Sequence, residues 1–152
     1  MNDYFKPVFY RWDKPITLRR NIRYTFMWLK WCCQRAFRGW ADCDLWDMDW
    51  YLITIILPML KELRKNSHGY PGYGEASTSE KWDAILDKMI EGFEAGCRIT
   101  EDAYYMKTNS DILTRQPTSE EVKGWIDMSK TDQVIFNNRM KLFSKWFFHL
   151  WD

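Results

Sequence analysis

Residues 77–95 read S-T-S-E-K-W-D-A-I-L-D-K-M-I-E-G-F-E-A, and their spacing settles the fold class. Trp82, Ile85, Leu86, Met89, Ile90 and Phe93 recur every three or four positions, while Asp83, Asp87, Glu91 and Glu94 follow steps of four, four and three between them. An apolar stripe and an acidic stripe at this period describe an amphipathic helix, with none of the alternation a strand needs. Ser77 and Glu80 have capping-box spacing and open the helix, which is expected to reach roughly residue 95. Gly96 either ends or interrupts it, residues 97–106 extend as a further helical segment, and 107–117 reads as a connecting loop.

The same period holds on both sides. Toward the C-terminus, Thr118 and Glu121 form a second capping box, and Phe136, Met140, Phe143, Phe147 and Leu150 continue one face, with any break near 129–132. Toward the N-terminus, residues 66–79 (NSHGYPGYGEASTS) form the clearest loop. Before it, 42–65 reads as a helix with Asp42 as N-cap and Asp44 and Asp47 near its first turn, where the backbone dipole favours carboxylates. Its apolar positions Leu45, Met48, Leu52, Ile53, Ile55, Ile56, Met59, Leu60 and Leu63 cover most of the circumference, which predicts the central buried helix, and Pro58 predicts a bend near 54–58. Residues 16–37 form the first helix, with Leu18, Ile22, Thr25, Phe26, Leu29, Cys33, Ala36 and Phe37 on one face and Pro15 and Gly39 at its ends. An extended lead, 1–15, precedes it. The expectation is an all-α, single-domain bundle of four to five helices spanning residues 1–152, with a Pro-kinked helix at its centre.

Composition supports a packed core: of 152 residues 46% are hydrophobic and 18% aromatic, including ten Trp. That many rings exceeds the needs of one small core, so some are expected to line a groove or a subunit interface, which points to a homo-oligomer. Net charge is +1, yet residues 1–40 hold nine Lys or Arg against two acids, a local +7. Such asymmetry suits an anionic partner or attraction between the two halves of the chain, while overall neutrality argues against nucleic-acid polymers. Cys32, Cys33, Cys43 and Cys97 lack C-x-x-C spacing, so no metal or other cofactor is expected through them. The N-terminus has no apolar h-region, and the longest apolar run, 52–60, is too short for a membrane span, so a soluble intracellular protein with reduced thiols is expected.

The densest concentration of functional residue types is 35–51, RAFRGWADCDLWDMDWY. Arginine forks beside aromatic faces suit a phosphate-bearing ligand. Arg35 and Arg38 would pair phosphates, Trp40 and Trp46 would stack, and Asp42 or Asp49 would orient an arginine or accept from a base edge. The loop bearing His68 and Tyr70 would fold over the ligand, because its glycines permit close backbone approach. A different reading of the same residues has Asp42 capping, Asp44 and Asp47 answering the dipole, and Asp49 pairing with an arginine. No nucleophile–histidine motif is present, so catalysis is not expected. Two alternatives stay open: a protein-interaction module docking through Trp125, Trp146 and Trp151, and a Mg²⁺-dependent hydrolase using Asp83, Asp87, Glu91 and Glu94. Glu91-Gly92-Phe93-Glu94 resembles the E-x-x-E motif of all-helical nucleoside triphosphate pyrophosphatases, although no E-x-x-D follows.

Arg38-Gly39-Trp40, Asp42, Asp44, Trp46, Asp49 and Tyr51, then His68-Gly69-Tyr70-Pro71, Trp82, Leu86, Met89 and Gly92-Phe93-Glu94, with Leu142-Phe143, Phe147 and the terminal Leu150-Trp151-Asp152, resemble a group of small proteins encoded by bacteriophages and prophages. The likeness covers 35–95 and the C-terminus and carries no functional residue across. It implies a phage accessory protein in the bacterial host cytoplasm, of the counter-defence kind that binds a host protein or sequesters a nucleotide.

Overall fold

The computed structural model describes residues 18–101 and 117–151, with side chains from residue 25 onward. The expected lead 1–15, Pro15 and the loop residues 107–116 lie outside the described residues. Four α-helices are described, α1 (Leu18–Arg38), α2 (Met48–Asn66), α3 (Ser79–Thr100) and α4 (Ser119–Trp146), with 3-10 turns at Asp42–Leu45, Gly74–Ala76 and Phe147–His149. No strand is present among the described residues, and the class is all-α. The chain divides into two compact units, Met1–Tyr51 and Leu52–Asp152.

In the second unit α3 is the central helix. It buries Trp82, Ile85, Leu86, Met89, Phe93 and Cys97, against only Ile53, Leu57 and Leu60 from α2. The expectation that α2 is central is therefore corrected. Its aliphatic count was high, but Leu52 and Met59 point to solvent, and burial follows the face rather than the count. The α3 stripe meets Met140, Phe143 and Trp146 of α4. Phe93 packs edge-on against Phe143 at 5.1 Å and Trp82 against Trp146 at 5.6 Å. Each such side chain taken fully out of water contributes about 1.5–3 kcal/mol.

Two glycines set the α3–α4 distance. A Cβ on Gly92 would sit 2.3 Å from Cβ of Arg139, and one on Gly96 would sit 2.9 Å from the Phe136 ring. Gly96 neither ends nor interrupts the helix, which continues to Thr100; Gly92 and Gly96 instead let α4 approach closely. The start of α3 is also corrected. Thr78, not Ser77, is the N-cap, its hydroxyl accepting from the Lys81 amide. Thr118 and Glu121 form the expected box at the head of α4, and that helix runs through 129–132 without a break. α2 likewise passes through Pro58 without ending.

The acidic stripe of α3 is an ion-pair seam. Lys61 reaches Glu94 at 2.6 Å, Arg64 reaches Asp87 at 2.9 Å and Asp83 at 3.3 Å, and Arg139 reaches Glu91 at 2.7 Å. Deeper in the same unit, Arg98 holds Asp132 through two bonds of 2.6 and 2.8 Å.

Candidate functional site

The 35–51 segment builds a corner inside the first unit. Gly39, at φ +81°, closes α1, and its amide donates to the Arg35 carbonyl at 3.0 Å. That conformation suits glycine and turns the chain sharply after Arg38. A 3-10 turn then begins at Asp42, so the expected single helix over 42–65 is instead a short turn followed by α2. The local reason is Asp44. Its carboxylate accepts from the Ala41 amide at 2.7 Å while its own amide donates to the Ala41 carbonyl at 3.0 Å, which pins a tight turn ahead of α2.

Both arginines expected to grip phosphates are occupied within the corner. Arg35 forks onto Asp44, with Nε–Oδ2 at 3.0 Å and a second bond from Nη2 to Oδ1. Arg38 pairs with Asp42, donates from Nε to the Trp40 carbonyl at 2.9 Å and lies 3.9 Å over the Trp40 ring. Asp42 also receives Gln34 at 2.7 Å and Lys30 at 3.0 Å. Tyr51 closes the corner by donating to the Gly39 carbonyl at 2.6 Å.

The electrostatics follow from this geometry. Burial pushes the Asp44 carboxyl up, but the Arg35 guanidinium and the Ala41 amide together outweigh it and hold the pKa below the ordinary carboxylate value. Hydrogen bonds from Gln34, then Arg38 and Lys30, hold Asp42 well below that range. Asp42 and Asp44 are thus held ionised, and they neutralise Arg38 and Arg35 in place.

Its rings are not covered. Trp46 is 83% exposed and Phe37 91%, and Leu45, Met48 and Trp40 of the same segment are exposed as well. Asp49 lies in the first turn of α2 and pairs with no arginine among the described residues. The apolar face of α1, expected to point inward, is outward too: Phe26 is 69% exposed, and Leu29 and Cys33 are exposed.

His68 and Tyr70 belong to the second unit, in the loop that leads to α3. Gly69, Tyr70, Pro71, His149 and Trp151 line a cleft enclosing about 10 Å³, room for roughly one water and far below a nucleotide's needs. Tyr73 anchors this loop, its hydroxyl sharing a 2.6 Å hydrogen bond with His149 Nε2 and its ring lying 5.7 Å from Trp146. Trp146 Nε1 and His149 Nδ1 are buried without a hydrogen-bond partner among the described residues. The link from Tyr73 to His149 spans 76 positions and leaves no local sequence signal.

Of the rings expected to dock on a partner, Trp125 and Trp146 are each 3% exposed and belong to the interior, so that assignment is corrected; Trp151 alone of the three is exposed. Among the described residues no cluster of His, Cys, Asp or Glu could hold a metal ion, and no helix is long and apolar enough to cross a membrane. Compared with known protein families, curated proteins and solved structures, the chain matches none.

Proposed function

We propose that this chain is a protein-docking module whose contact surface is the rim of the 35–51 corner and the outward face of α1. One observation carries the reading: the corner spends its cations on its own aspartates and leaves its rings exposed. Arg35 and Arg38 answer Asp44 and Asp42, while Phe37 and Trp46 are the most exposed rings among the described residues of the unit. A phosphate would have to displace bonded carboxylates to reach either guanidinium, whereas a protein surface needs only to cover the rings. Contiguous exposed apolar residues rimmed by charge mark interaction sites, and buried aromatic anchors dominate their energetics. The resemblance to phage-encoded proteins fits this role, because its Arg38-Gly39-Trp40, Asp42 and Asp44 residues are those that rigidify the corner and hold the rings in place. In that setting the partner is a protein of the bacterial host.

The test places a photo-crosslinking residue at Phe37 in the expressing bacterium, identifies the crosslinked protein, purifies it and measures its affinity directly. Binding should weaken about tenfold or more in Phe37→Ala and Trp46→Ala, as expected when central anchors are truncated. A purified candidate that binds both variants as tightly as wild type would refute the reading. So would a nucleotide that raises the melting temperature of wild type but not of Arg38→Ala.

A further inference from the structure

We draw no further inference here: the strongest candidate, the cleft of the second unit lined by Gly69, Tyr70, Pro71, His149 and Trp151, has room for roughly one water, and nothing in the structure shows what covers its exposed Tyr70 and Trp151 rings.

Discussion

Asp44 carries the corner at the residue scale. It is 6% exposed, forks Arg35 and accepts the Ala41 amide, so its removal leaves both a guanidinium and a backbone donor without their acceptor. Asp44→Ala should cost about 2 kcal/mol, moderated because Arg35 is partly solvated, and chemical denaturation followed by tryptophan emission measures it. The pH dependence follows from the lowered pKa values of Asp42 and Asp44. A carboxylate whose folded pKa lies below its unfolded one contributes fully above the unfolded value and loses that contribution as pH falls through the folded one. The melting temperature should therefore be flat from neutral pH to about 5 and fall below about 4, with a shallower fall in Asp44→Asn. Thiol reactivity should divide in the same way. Burial, then the nearby Glu101, pushes Cys97 up to about 11, whereas Cys33 is exposed. Iodoacetamide should label Cys33 first and Cys97 slowly, as peptide mapping over time would show. The residue types of this corner were legible in the sequence, but their pairing was not. The Arg35–Asp44 fork joins positions nine apart and exists because a 3-10 turn, rather than a continuous helix, follows Gly39.

Among elements, the contact between α3 and α4 makes the sharpest stability prediction. Gly92→Ala would drive a methyl into Arg139 and push the helices apart, costing about 1–3 kcal/mol. Gly124 of α4 is exposed and has nothing within 4 Å of an added Cβ, so Gly124→Ala should stabilise by about 0.5–1 kcal/mol through helix propensity. Opposite shifts in melting temperature for two identical substitutions check that the glycines differ by place and not by kind. The sequence announced the start of α4 because a capping box is a local code, and Thr118 with Glu121 obeys it. It misplaced the start of α3 by one position because Ser77, Thr78 and Ser79 are all competent caps and packing chooses among them. Gly96 looked like a stop because its tolerance depends on Phe136 of another helix. In sequence the acidic stripe reads as the polar side of an amphipathic helix or as a Mg²⁺ site, and only the fold brings Lys61, Arg64 and Arg139 to it.

Across the whole molecule the two units differ in how well they are covered. The second encloses a continuous core built on Trp82, Leu86, Met89 and Phe93. Among the described residues of the first, only Ala41 and Asp44 are buried. On the docking reading, the exposed apolar stripe of α1 is where the proposed partner sits. The same spacing predicts an inward face when read as sequence, because periodicity reports that a face is apolar and not what covers it. The most direct measurement of the central claim is the affinity of the purified, crosslinked partner for wild type and for Phe37→Ala combined with Trp46→Ala, with circular dichroism recorded on both chains. The docking account predicts affinity lower by about a hundredfold with an unchanged helical signal, as for two independent central anchors. Equal affinity for the two chains would contradict it.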